Sequence, residues 1–428
     1  MTRVRWILIF WIFVLSAVAF LDRVNISIAG LSIAAEYHLS DVQLGRVFSS
    51  LLVGYTLFQA PAGWLADRLG SRRVLTLGVV WWGIFTALTA SLPANIPFAL
   101  ACFIGVRFLL GAGEAVMYPA SNQFTSRWIP TEERGIANGW IFAGVGAGAG
   151  ITPPLVTWVV LHYGWRASFW VCAVIGVLSG LVWFVIARDS PEEHPSVSAA
   201  ELAKIRAGLT ISEQSLEEKN LRTPWSKILT SPNVWATAAS YFSFGYVAWI
   251  FFSWFYIYLA KVRGLNLKTS AMYAMLPFLA MALCCLAGGI INDQVTKARG
   301  KRAGRCGIAV VAMALAAIFL VLGARAESAR FASVILAGGA GALYLAQSSF
   351  WAVTADIGGK SSGSVSGVVN MGAQLGGVVT SAVTPLIAIH YGWTAPFLVA
   401  AALCGLGAFA WLLVDPGRKI VYEGERSG

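Results

Sequence analysis

Twelve long apolar runs, at approximately residues 6–30, 44–66, 74–92, 97–123, 135–160, 166–187, 234–260, 270–292, 305–323, 330–355, 364–389 and 395–414, occupy most of this 428-residue chain. About 20 such residues are enough to cross a bilayer as a helix. In lipid only helices and closed barrels satisfy their own backbone hydrogen bonds, and barrel strands alternate over about ten residues instead of running on. The runs therefore predict an all-α integral membrane protein with twelve transmembrane helices. Charged residues make up only 12% of the chain, about half the share of a soluble domain, which excludes a water-soluble fold. Arg3, Arg5 and Ala17-Val18-Ala19 give the first run the look of a secretory signal. Because the run continues to Gly30 and many more follow, it reads as an uncleaved first helix.

The net charge of +11 does not indicate a nucleic-acid partner, because the basic residues sit in short clusters between the runs. With the N-terminus inside, 22 Lys and Arg fall in inside segments and six in outside ones. That asymmetry predicts a multi-pass protein of the inner (plasma) membrane with both termini in the cytoplasm. The loop bearing Lys261, Arg263 and Lys268 runs against it. The six cysteines lie in or beside apolar runs with no Cys-x-x-Cys pair, and read as small packing residues.

One long polar stretch, 188–233, divides the chain. Within it Ser198-x-x-Glu201, before Leu202 and Ile205, predicts a capped amphipathic helix on the cytoplasmic face. The two sides repeat. His162-Tyr163-Gly164-Trp165 returns as His390-Tyr391-Gly392-Trp393, and Gly135 and Gly139 return as Gly363 and Gly367, at an offset of 228; Gly63 and Asp67 return as Gly289 and Asp293 at 226. The expected organisation is a six-helix bundle at 1–187, a cytoplasmic linker at 188–233, a second bundle at 234–414 and a tail at 415–428. A duplicated bundle is the sequence sign of a secondary transporter with its site between the halves.

Ionisable groups inside a bilayer are costly and point to function. Four stand out: Asp22, Arg23, Arg107 and Glu114. Their partners at offset 228 are Ile250, Phe251, Ile335 and Ala342, so the second bundle builds the same helices without them. Asp22 and Arg23 diverge by about 100° around one helix, whereas Arg107 and Glu114 share a face about 10 Å apart. A carboxyl group taken out of water favours its protonated form, and a nearby guanidinium opposes this. An anion that occupies the guanidinium therefore makes proton uptake easier, the linkage symport needs. On this reading Arg23 binds the substrate carboxylate, Asp22 and Glu114 carry protons, and Arg107 holds one of the two acids. The four histidines lack metal-ligand spacing, there is no phosphate-binding Gly-x-x-x-x-Gly-Lys, and no nucleophile–His–acid set lies in the membrane. No cofactor, no metal and no enzymatic activity are expected, the drive being the proton gradient.

Gly63-Trp64-Leu65-Ala66-Asp67-Arg68-Leu69-Gly70-Ser71-Arg72-Arg73 resembles the signature between helices 2 and 3 of the major facilitator superfamily, with a weaker copy at Gly289–Asp293. Leu21-Asp22-Arg23-Val24-Asn25, and Gly113-Glu114-Ala115 followed by Pro119, resemble its anion:cation symporter family. The resemblance implies two pseudo-symmetric six-helix bundles, helices 1 and 4 as neighbours, and import of a sugar acid (aldonate, aldarate or uronate) by alternating access, with sialin-like eukaryotic relatives. The alternatives are an exchanger or effluxer of organic anions, or a symporter of an aromatic or dicarboxylic acid. It further implies substrate contacts at Tyr55, Ser348, Trp351 and Asn370, and gating by Asp67, Arg68, Arg72, Arg134 and Asp293. Val145 and Phe20 stand where similar galactonate carriers have glutamine and tyrosine, which argues against galactonate itself. Gly144, Gly146, Gly148 and Gly150, and Gly372, Gly376 and Gly377, are expected at close helix contacts. The expected partners are a small organic anion, protons and the lipid bilayer, and the protein is expected to act as a monomer.

Overall fold

The structure is a computed structural model that describes residues 3–130, 133–207, 225–358, 362–418 and 420, the side chains of 60, 67, 134, 135 and 362–364 excepted. Every regular element among the described residues is helical. The chain divides into two units, Met1–Glu218 and Lys219–Gly428. Unit 1 holds α1 (Val4–Glu36), α2 (Asp41–Leu69), α3 (Ser71–Ser91), α4 (Ala99–Trp128), α5 (Arg134–Tyr163) and α6 (Trp165–Ile186). Unit 2 holds α7 (Pro232–Ser253, continuing with a 50° bend into Phe255–Val262), α8 (Leu267–Arg299), α9 (Arg302–Arg325), α10 (Ala329–Gly358), α11 (Ser362–Tyr391) and α12 (Thr394–Leu412).

Among the described residues ten helices are long and apolar enough to cross a membrane, and the bent α7 makes eleven. The twelfth is α2. At 29 residues it has the length of a span, but Gln43, Arg46, Gln59 and a proline make it more polar than its neighbours. It begins at a capping box in which Ser40 and Gln43 bond reciprocally.

The internal repeat is a repeat of packing. In unit 1, α1 lies on α5, α2 on α4 and α3 on α6; in unit 2, α7 lies on α11, α8 on α10 and α9 on α12. Glycines set the closest of these contacts. A Cβ at Gly144 or Gly148 would strike the backbone of Phe13 or Ala17 on α1, and one at Gly372 or Gly376 that of Ala238 or Phe242 on α7. The duplicated His-Tyr-Gly-Trp is a turn: Gly164 (φ 82°) and Gly392 (φ 78°) join α5 to α6 and α11 to α12 in a conformation that disfavours a side chain.

The polar linker begins as expected, with a twist. Residues 199–207 are helical, Ser198 Oγ accepts the Glu201 N–H at 3.3 Å, and Ile205 is buried. The Glu201 carboxylate also accepts the backbone N–H groups of Val4 and Arg5, each at 3.2 Å, and so caps the start of α1. Those N–H groups have no partner within their own helix, and the helix dipole favours a negative charge beside them. Arg5 bonds both Glu201 (3.2 Å) and Glu133 (3.1 Å), and Lys204 reaches Glu133 at 2.6 Å. Burial works against the charge on Glu133, but hydrogen bonds from Lys204 and Arg5 outweigh it and hold its carboxyl below the usual glutamate range. Arg263, one of the cations that breaks the charge asymmetry, is tied down: it donates to the Tyr258 hydroxyl at 2.7 Å and to the carbonyls of Ala326 at 2.6 Å and Glu327 at 3.2 Å.

Candidate functional site

Unit 1 gathers its four intramembrane charges into one buried cluster. Asp22 is 1% exposed, Arg23 5%, Arg107 1% and Glu114 0%. Glu114 sits at the last residue of the first segment of α4, which breaks at Ala115–Val116 and resumes at Met117. Close packing surrounds the break. Gly111 and Gly54 let α2 and α4 meet backbone to backbone, and Gly113 makes room for the Trp81 ring.

The pairing within the cluster selects between alternatives that the spacing leaves open. Arg23, not Arg107, holds Glu114: its Nε lies 2.5 Å from Oε2. Its guanidinium also lies 4.4 Å from the Tyr55 ring and 4.8 Å from Phe20, distances at which an aromatic face attracts a cation. The reason is directional. Successive residues on α1 point about 100° apart, so Arg23 turns to Glu114 and Tyr55, and Asp22 turns the other way, toward Arg107, Thr86 and Cys172. Arg107 makes no ion pair among the described residues, and its Nε and Nη1 have no hydrogen-bond partner. Both oxygens of Asp22, Oε1 of Glu114 and Nη2 of Arg23 are likewise unsatisfied. Open positions in a buried polar network cost stability. Tyr118, one turn beyond Glu114, bonds Ser16 at 3.2 Å and stacks on Phe142. Sequence reasoning missed Tyr118, Thr86 and Cys172, since a lone small or hydroxyl residue in an apolar run gives no periodic signal.

Of the substrate positions expected in unit 2, Ser348 and Trp351 follow the break of α10 at Ala346. Ser348 Oγ is buried and unsatisfied, and Gln347 beside it bonds the Tyr241 hydroxyl at 3.0 Å while its own carbonyl oxygen is open. Trp351 is 38% exposed, its ring 6.4 Å from that of Tyr241. Asn370 is half-buried on α11, where Gln374, one turn on, also has an open carbonyl oxygen. Gln347 and Gln374 escaped the sequence reading. Among the described residues of unit 2 no charged side chain is buried.

The gating positions scatter more. The side chains of Asp67 and Arg134 lie outside the described residues. Arg68 lies over the Trp64 ring at 4.3 Å. Arg72 stays on its own unit: its Nε donates to the Phe184 carbonyl at 2.9 Å, and its N–H to Asp189 at 2.9 Å. Asp293 meets Arg305 at 3.2 Å, and Arg305 also bonds Asn292 and pairs with Asp356, which holds Lys301 at 2.6 Å.

Comparison with known proteins agrees with this arrangement of helices. Residues 12–381 match the model of the Major Facilitator Superfamily. The probable sulfoacetate transporter of Cupriavidus necator is 31% identical over 96% of this chain and 94% of its own length. The probable galactarate/D-glucarate transporter of Bacillus subtilis is 29% identical over 99% of this chain and 94% of its own. The crystal structure of a bacterial homologue of the human lysosomal transporter Spinster superposes with a TM-score of 0.77, at 16% identity, covering 96% of this chain and 97% of that one. The chain thus belongs to the Major Facilitator Superfamily, a multi-pass membrane protein of a transporter family and not of an enzyme family.

Proposed function

We propose that this protein imports a small organic anion, a sugar acid of the aldonate, aldarate or uronate type, in symport with protons by alternating access. It works as a monomer in the inner membrane, with both termini in the cytoplasm, and the proton gradient is its only drive. The observation that carries this reading is the Arg23–Glu114 pair, buried among unsatisfied ionisable atoms. A substrate carboxylate that enters competes with Glu114 for Arg23, which offers an open Nη2. Displaced, Glu114 is a buried carboxylate without its counter-ion, a state that favours taking up a proton. Substrate and proton then load together, and the reciprocal linkage that this creates is symport. Ser348, Trp351 and Asn370 supply the hydroxyl, indole and amide groups that suit a polyol chain. The relatives that carry galactarate or glucarate by name support this class.

Proteoliposomes test the reading. With labelled aldonates, aldarates, uronates and sulfoacetate outside, an inward proton gradient should drive accumulation of one of them. Glu114→Gln should abolish that accumulation while sparing counterflow, and full gradient-driven uptake by this variant rejects the assignment. A second reading, a small sulfonate or carboxylate without hydroxyls, is favoured by the Phe20 ring beside Arg23 and by the sulfoacetate relative; preferential stabilisation by sulfoacetate in a thermal-shift series would select it.

A further inference from the structure

Asp22 sits beside the Arg23–Glu114 pair and has further neighbours of its own. It faces Thr86 of α3, Cys172 of α6, and Arg107 and Glu114 of α4, while Arg23 beside it on α1 points to Glu114. Three helices close on it in register. One turn away Val18 and Trp82 meet Gly176, so Asp22, Thr86 and Cys172, each four residues from these, share the next layer. Thr86 is 0% exposed, and its hydroxyl, like both oxygens of Asp22, has no hydrogen-bond partner. Cys172 is oriented from behind. Asn25 Nδ2 donates to its sulfur at 3.4 Å, and Ser168 donates to Asn25 Oδ1 at 2.8 Å. With the sulfur lone pair facing Asn25, the S–H is left for Asp22.

We propose that Thr86 and Cys172 are positioning residues for proton loading at Asp22. When the proton is absent, their O–H and S–H turn to donate to the carboxylate, closing bonds that are open in this structure. When it is present, the Thr86 hydroxyl rotates and accepts it, a reversal open to a hydroxyl group. Arg23 pairs with Glu114, so Thr86 and Cys172 act on Asp22 directly and on the Arg23–Glu114 pair only through it. This rests on the reading of Asp22 as a proton carrier, and its test needs no substrate.

The protein in lipid nanodiscs is titrated while the infrared carbonyl stretch of protonated carboxyl groups is recorded. The band lost in Asp22→Asn is that of Asp22. In Thr86→Val, which keeps shape and removes the donor, its midpoint should rise by about one pH unit, the effect of losing one hydrogen bond to a charged group. Thr86→Ser should restore it, and Cys172→Ala should shift it the same way by less. An Asp22 band with unchanged midpoint and frequency in both Thr86→Val and Cys172→Ala overturns the positioning role. The absence of any band sensitive to Asp22→Asn overturns the proton-carrier reading beneath it.

Discussion

The two units share one packing plan and differ in their interiors. Unit 1 buries Asp22, Arg23, Arg107 and Glu114 between its helices, whereas unit 2 buries hydroxyls and amides and, among its described residues, no charge. Matched helices, matched turns and matched glycine contacts show that the fold asks for none of the four charges. A charge in a bundle interior is expensive, so its presence in one copy only marks work that the packing does not need. In the proposed function the neutral unit supplies hydroxyl contacts, and the charged unit the anion and proton sites.

The largest expected effect comes from breaking the contrast at one site in each unit. Glu114→Ala leaves Arg23 buried and unpaired, and should cost about 3–5 kcal/mol of stability. Ala342→Glu puts a carboxyl at the matching place in unit 2 with no guanidinium to meet it, and should be as damaging or prevent insertion. Thermal unfolding and yield in membranes check both; a stable Ala342→Glu protein would show that unit 2 tolerates charge and remove the contrast. Next come the contacts that the units share. Gly148→Val and Gly376→Val should be alike, each costing about 1–3 kcal/mol through overpacking and slowing transport. Unequal losses, read from unfolding and uptake rates, would place movement on one helix pair.

The smallest effect belongs to the linker contact of unit 1. Glu133 is held below its ordinary range by Lys204 and Arg5, against burial. The unfolded chain therefore binds the proton more readily. The contribution is fully present above about pH 4.3, the ordinary glutamate value, and is lost as pH falls through the lower folded value. Glu133→Gln should lower stability at neutral pH by less than about 1 kcal/mol, as the site is partly solvated. It should also flatten the acid side of a plot of stability against pH, which melting in nanodiscs over that range can follow.

Much of this was legible in the chain. Run length dictated spanning helices, because lipid leaves the backbone no alternative. The repeated His-Tyr-Gly-Trp marked a turn, because only the glycine suits its backbone. The four charges stood out against apolar runs, and the offset of 228 showed them to be unmatched. Partner choice was harder. The spacing left Arg107 to hold either acid, but Arg23 reaches Glu114 from another helix, and a seven-residue spacing leaves two side chains on one face without bringing them into contact. Thr86, Cys172, Gln347 and Gln374 were silent for a related reason: each is a single polar residue in an apolar helix, and its meaning lies in what faces it.

The amino-acid order alone therefore determined the number of crossings, the duplication and which half carries charge, since these depend on composition and period along one dimension. The fold decided which guanidinium meets which carboxylate, that Asp22 turns toward α3 and α6, and that Glu201 caps α1. Those outcomes depend on the rotation of each helix against its neighbours, which packing sets and spacing does not.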